Sequence, residues 1–309
     1  MSSKVYSIST RKLPSNHFTM KSIKAWSLVS ILMAMMSNPG LAQSPEIKVD
    51  LTSTDVLSQG QTGTCWSFST TSFLESESHR ITGELHDFSE MAAVRVVYPE
   101  KVERYVRYQG KHQFGPGGLS HDVTHAAEVY GLVPQSVYGG GQEQGSYNHG
   151  ALDASLEALA KTMVDQSGKI APESFDAVEG VLDAHLGSLP DSFEYEGKSY
   201  TPGSFRDAMG IVPSAYVTMT SFTHHPFGLP FVLEVPDNHA HGSFWNVPLD
   251  DLESTVRHAL SEGYTVAWDA DVSNRGFSFK DGWAIMPEAA ASAKEWETLG
   301  QMPEEPTVD

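Results

Sequence analysis

The only cysteine of this chain lies in a segment with little conformational freedom, Ser58-Gln59-Gly60-Gln61-Thr62-Gly63-Thr64-Cys65-Trp66-Ser67-Phe68. Gly60 and Gly63 let the backbone approach another chain closely. Thr64 is a helix-capping residue type, and the pattern beyond it predicts a helix over 65–80, with Arg80 in its last turn and Gly83 as its stop. The thiol would then sit at the first position of a helix. The thiolate is the nucleophilic form of cysteine, and a helix N-terminus, with unpaired N–H groups and roughly half a positive charge, favours it. Gln59 can bring a side-chain N–H, and Cys65 its own backbone N–H, to a developing oxyanion, where one donor is worth roughly 3 kcal/mol. A lone cysteine is more commonly a small buried hydrophobe. It is the whole segment that gives this one a chemical reading.

Composition narrows the remainder. The chain has 309 residues with 40% hydrophobic content, enough for one large domain or two modest ones. Its 39 acidic against 20 basic residues give a net charge of −19, which repels phosphate backbones and argues against a nucleic-acid partner. One cysteine excludes an internal disulfide and Cys-rich metal sites. Near the N-terminus, Lys21 and Lys24 precede an apolar run over 25–36, and Pro39-Gly40-Leu41-Ala42 supplies small residues for cleavage after Ala42. Residues 1–42 are therefore expected to be leader and signal peptide, with Met20 as the true start and an exported, periplasmic or secreted protein beginning near Gln43. The apolar run is too short for an ordinary membrane span. Cleavage would leave 15 basic and 39 acidic residues.

The cysteine segment resembles the active-site signature of papain-like cysteine peptidases, Cys-Gly-Ser/Ala-Cys-Trp/Tyr, with Thr62 in place of the first cysteine and Cys65 as nucleophile. Phe88-Ser89-Glu90-Met91 is similar to the Leu-Ser-Glu-Gln that opens the second helix of that family, and here Ser89 reads as the cap of a helical run through Val102 and Tyr105. In the loop Gly115-Pro116-Gly117-Gly118, the last two glycines match the pair that lies beside bound substrate in the family. Helix 121–130 then leads into Val129-Tyr130-Gly131-Leu132-Val133 in the family's order. An insertion over 151–211 carries Leu186-Gly187-Ser188-Leu189-Pro190 and Thr201-Pro202-Gly203-Ser204-Phe205, which resemble the bleomycin hydrolase and aminopeptidase C branch. The resemblance runs from about Gln59 to Asp281. It implies an α+β, two-lobed papain-like fold, a helical lobe plus an incomplete β-barrel lobe, with a helical insertion. It also implies cleavage of peptide bonds through a Cys65 thioester, with Gln59 at the oxyanion and Gly117, Gly118 and Trp66 on the substrate side. No cofactor and no metal follow from it. Branch members can form closed hexamers, so a homo-oligomer stays open.

Leu152, Leu156, Leu159 and Met163 recur at helical spacing, and a further helix is read over 173–186. Strands are read over 211–220, 231–235 and 265–272, and a helix over 248–262 closed by Gly263. The family's catalytic histidine and asparagine lie on strands beyond the last of these. No histidine follows His258 and no Asn-Ser-Trp-Gly occurs, so neither residue can be assigned, and a C-terminally truncated peptidase domain over 43–309, inactive as this chain, is the expectation. Rival readings are a non-catalytic peptide-binding remnant, a surrogate base in His239-Ala240-His241, and a zinc hydrolase on His121 and His125, which stand at i and i+4. His224-His225-Pro226 reads as a turn, and Asp269 and Asp271 alternate to one face of a strand.

Overall fold

The computed structural model describes residues 48–141, 146–166 and 169–270, together with 277–278, 280 and 283–284. The proposed leader and signal over 1–42, Asp271 and residues 285–309 lie outside these residues. The chain is a mixed α+β structure, mostly helical, with small sheets.

Helix α1 (Cys65–Thr82) starts at the cysteine and ends where Gly83 turns left-handed, φ 81°, its N–H returning to His79 O. Helix α2 (Glu90–Arg107) is capped by Ser89, whose hydroxyl accepts from Ala92 N. Its buried stripe, Met91, Val94, Val97, Tyr98 and Val102, makes it the centre of the molecule. Helix α3 (Ser120–Val129) packs on α1 and α2, and α4 (Gly150–Asp165) and α5 (Pro172–Leu186) pack on each other and on α2. Leu152, Leu156 and Met163 are buried as their spacing predicts, and Leu159 is half-buried. Arg95 of α2 ties α5 down, 2.6 Å from both Glu179 and Asp183.

The expected insertion is not purely helical. After α5 the chain forms a hairpin, β1 (Phe193–Tyr195) antiparallel to β2 (Lys198–Tyr200). Its two-residue loop, Glu196-Gly197, has both φ angles positive, as the tight turns that match strand twist require. Helix α6 (Pro202–Ala208) follows, capped by Thr201, whose hydroxyl accepts from Ser204 N. Fully buried Phe205 meets Phe88, Phe193, Tyr195 and Tyr200 edge-on at 5.3–5.9 Å between ring centres.

Beyond Ile211 the pattern reading is partly corrected. The strand expected over 211–220 shrinks to β3 (Met219–Thr220), because Pro213, which lacks an N–H, opens a 3-10 turn at Pro213–Ala215. The strand expected over 231–235 lies two to three residues earlier as β4 (Leu229–Val232). The central strand β5 (Ser243–Asn246), parallel to β3 and antiparallel to β4, was not anticipated; four residues flanked by His, Gly and Pro give too little alternation to read. Helix α7 (Leu249–Ser261) matches its prediction, and Gly263 follows with φ 86°. Residues 265–270 form no strand. They run past α1 instead, where Arg80 stacks 4.2 Å over the Tyr264 ring and Thr265 N points to Glu77. A short pair, β6 (Phe277–Ser278) and β7 (Trp283–Ala284), is antiparallel. Among the described residues no barrel closes.

Candidate active site

The site is built around the start of α1. Thr64 opens the helix through its carbonyl, which accepts from Ser67 N at 2.9 Å and Phe68 N at 3.2 Å. Its hydroxyl does not cap: it lies 2.6 Å from Thr62 Oγ1, and Thr62 Oγ1 donates to Gln59 O. The cap expected from Thr64 therefore fails: its backbone, φ −103° and ψ 25°, is not the extended conformation that aims a capping side chain along the helix. The result is a helix start without a side-chain cap at Cys65. The two threonine hydroxyls instead tie residues 59–64 into a fixed loop, at the position where the signature carries a cysteine.

The glycines of this loop approach the protein itself. Gly60 (φ 64°) lies against Tyr147, and a Cβ there would collide with the Tyr147 carbonyl. Gln61 completes the seam, with its N–H to Tyr147 O at 2.8 Å and its carbonyl accepting from His149 N at 3.0 Å. Gly63 (φ 83°) faces the ring of Pro116, so it joins the cysteine loop to the glycine loop 115–118. Any L side chain at either position would be strained. Gln59 and Cys65 are both half-buried, at the rim of this arrangement.

The glycine loop is held from beneath. Trp66, 5% exposed, donates its indole N–H to Pro116 O at 3.0 Å, and its ring fills the space where a Gly118 side chain would stand. Gly117 is pressed against the Asp237 carboxylate. Lys101 Nζ, from buried α2, donates to Gly115 O at 2.9 Å and to Gly117 O. Burial pushes Lys101 down to about 8, against the pull of Asp122, Asp237 and Asp153. Trp66 thus acts as a support under Pro116 and Gly118, and Lys101 and Asp237 are supporting residues that sequence reasoning missed. Neither carries a local motif, since both reach the loop only through the tertiary fold. Lys101 also lines a cavity of about 90 Å³ with Tyr98, Phe114, Asp153 and Leu156, where burial raises Asp153 to about 6.

The other histidines are accounted for separately. His121 Nε2 and His239 Nδ1 each lie 3.6 Å from an oxygen of Asp122, whose other task is to accept Leu119 N at 2.8 Å. Burial drives His239 down to about 3, far below the pKa a general base needs near neutral pH. That argues against His239 as a surrogate base. His241 stacks on His112 instead, ring centres 5.6 Å apart. His125 turns away to Glu100 at 2.9 Å. His121 and His125 therefore face different carboxylates, and among the described residues the metal-spaced grouping lies elsewhere, at His224, His225 and Glu234. The zinc-hydrolase reading loses its ligand set.

No family model matches the chain. It is 25% identical to aminopeptidase G of Lactobacillus delbrueckii subsp. lactis over 269 residues, 72% of this chain and 60% of that protein. It is 25% identical to aminopeptidase C of Lactococcus lactis subsp. lactis over 276 residues, 76% of this chain and 63% of that protein. The chain thus spans about three fifths of the length of these curated relatives. In fold it resembles the crystal structure of PepW from Lactobacillus rhamnosis HN001 (DR20), with a TM-score of 0.59 at 18% identity, covering 71% of this chain and 59% of that one. The chain is a distant homologue of aminopeptidases C and G over about three quarters of its length.

Proposed function

We propose that this protein is a cysteine-type peptidase of the aminopeptidase kind, with a two-lobed papain-like body. Cys65 attacks the scissile carbonyl while Gln59 and the Cys65 N–H hold the oxyanion; the C–N bond then breaks, the amine leaves with the proton given up by the thiol, and water hydrolyses the remaining thioester to free acid and Cys65 thiol. The glycine loop at Gly117 and Gly118 presents backbone to an extended peptide. The observation that carries this reading is the position of Cys65. It is the first residue of an 18-residue helix whose cap hydroxyl is turned away, in a loop locked to the glycine loop through Gly63 and Pro116. The test is a fluorogenic aminoacyl substrate with wild-type protein and Cys65→Ser. Any burst or turnover should be abolished by the substitution. Wild-type turnover that survives Cys65→Ser would overturn the assignment.

A second reading, a peptide-binding protein without turnover, is favoured by the placement of His239, whose imidazole is buried against Asp122 and not presented as a base. Saturable peptide binding with no product burst would select it. For location, the reading is export after cleavage behind Ala42, because Gly40 and Ala42 supply the small residues that such cleavage needs. N-terminal sequencing of exported protein should begin at Gln43, and soluble cytoplasmic protein retaining residues 1–42 would refute it. In the described part no helix is long and apolar enough to cross a membrane.

A further inference from the structure

The turn between β3 and β4 carries two adjacent imidazoles, His224 and His225, and the fold brings Glu234 back to both of them after β4. His225 Nε2 lies 2.8 Å from Glu234 Oε1, and His224 Nε2 lies 3.4 Å from Glu234 Oε2. One ligand atom from each of the three residues falls within 4.8 Å of the others. Bonds of 2.0–2.1 Å to a tetrahedral zinc ion put neighbouring ligand atoms about 3.3 Å apart, so small side-chain shifts open this group to that size. Two imidazoles and one carboxylate are a donor set that zinc accepts while keeping its fourth position open to water.

The three groups are preorganised. Phe231 stacks on His225, ring centres 4.2 Å apart at 25°, and Phe222 meets His224 edge-on at 5.4 Å. Fully buried Asn246 holds the turn: its amide donates to Phe222 O at 2.9 Å and His225 O at 2.8 Å, and its oxygen accepts from Phe222 N at 2.8 Å. On the other side buried Asn238 donates to Leu233 O and Gly242 O, both at 2.9 Å, which fixes the backbone beside Glu234.

We infer that His224, His225 and Glu234 form a binding site for a zinc-class divalent cation, with water as the fourth ligand. His224 Nδ1 is buried with no hydrogen-bond partner among the described residues, so it lacks the outer carboxylate or carbonyl that strengthens a metal-bound imidazole. The affinity expected is therefore of micromolar order, below that of closed structural sites.

The experiment uses the full chain, stripped with chelator and titrated with Zn²⁺ and with Co²⁺ at pH 7.5. One equivalent should bind, and bound Co²⁺ should show the intense visible absorption of four-coordinate geometry. Glu234→Gln and His225→Gln should each weaken binding at least about tenfold and abolish the absorption, while His258→Gln, exposed on α7, should change neither. Glu234 is 61% exposed, so its substitution leaves the fold intact and keeps the test valid if His225→Gln misfolds. The absence of saturable binding in wild-type protein would overturn the inference, and so would unchanged binding in Glu234→Gln.

Discussion

The helical part, residues 65–211, and the sheet part, residues 212–270, are ordered by different physics. Among the described residues, every buried hydrophobic one except Phe244 belongs to the first. In the second, Val217, Leu229, Trp245 and Trp268 are 47–63% exposed, and α7 buries no residue fully. What the second part buries is polar: Ser221, Asn238, His239 and Asn246. Asn238 and Asn246 each hold backbone from two directions. Apolar burial stabilises the first region without directional demands. Side-chain amides order the second, at a smaller net gain per bond but with defined geometry.

The largest expected effect tests that contrast. Phe205→Ala removes the centre of a fully buried aromatic cluster and should cost about 3–5 kcal/mol in urea unfolding. Leu229→Ala, at 58% exposure, should stay within about 0.5 kcal/mol. Asn246→Ala should fall between them, at about 1–3 kcal/mol, and should strip hydrogen-exchange protection from residues 222–228 in particular. Equal costs for Phe205→Ala and Leu229→Ala would show that the exposed face of β4 is covered in solution, and the contrast would fail.

A second effect follows from carboxyls buried in the helical part. Glu75 accepts from Phe88 N at 2.8 Å and from Thr54, yet burial lifts it to about 7; Glu90, beside it, is lifted by burial to about 8. A carboxyl with a raised folded pKa binds more protons folded than unfolded, so its contribution to stability is lost as pH rises through the folded value. Burial acts in the opposite sense on His149, lowered to about 4, and on His239, lowered to about 3, and their opposition acts below the ordinary histidine value. From pH 6.5 to 8 the carboxyls act without opposition from these histidines, so the unfolding midpoint should fall across that window. Glu90→Gln should flatten the slope and Glu75→Gln should flatten its lower half. A midpoint that rises from pH 6.5 to 8 in wild-type protein would break the argument.

Much of the helical part is legible in sequence because its signals are local. Ser89 and Gly83 bound their helices as residue types, and Leu152, Leu156 and Met163 declare a buried face by spacing. The sheet part is not legible in this way. Strands of two to four residues leave no room for alternation, and Asn246 acts on a turn some twenty residues earlier. The site divides along the same line. The cysteine segment is contiguous and readable, whereas Lys101, Asp237 and the meeting of Glu234 with two histidines depend on tertiary contacts that no local pattern encodes. Even within the readable segment Thr64 does not cap, because residue type says that a hydroxyl can cap and not what backbone angle or partner it meets.

The smallest expected effect comes from comparing the two helix starts. Ser89 caps α2, and Ser89→Ala should cost about 1 kcal/mol. Thr64→Val keeps the shape of a fully buried side chain and removes only the hydroxyl facing Thr62, while Thr62 keeps its bond to Gln59 O. It should cost less than Ser89→Ala. Its effect on the thiol is the sharper measurement. Gaining or losing a polar group at a helix terminus is worth about 0.3–1 kcal/mol, or about two- to fivefold in a rate that follows the thiolate population. Because the Thr64 hydroxyl is directed to Thr62 and not along α1, alkylation of Cys65 across pH 6–8 should change by less than about twofold in Thr64→Val. A larger change, together with a stability cost above that of Ser89→Ala, would mean that the hydroxyl does face the helix N-terminus. The open start of α1 at Cys65, on which the nucleophile assignment rests, would then be wrong.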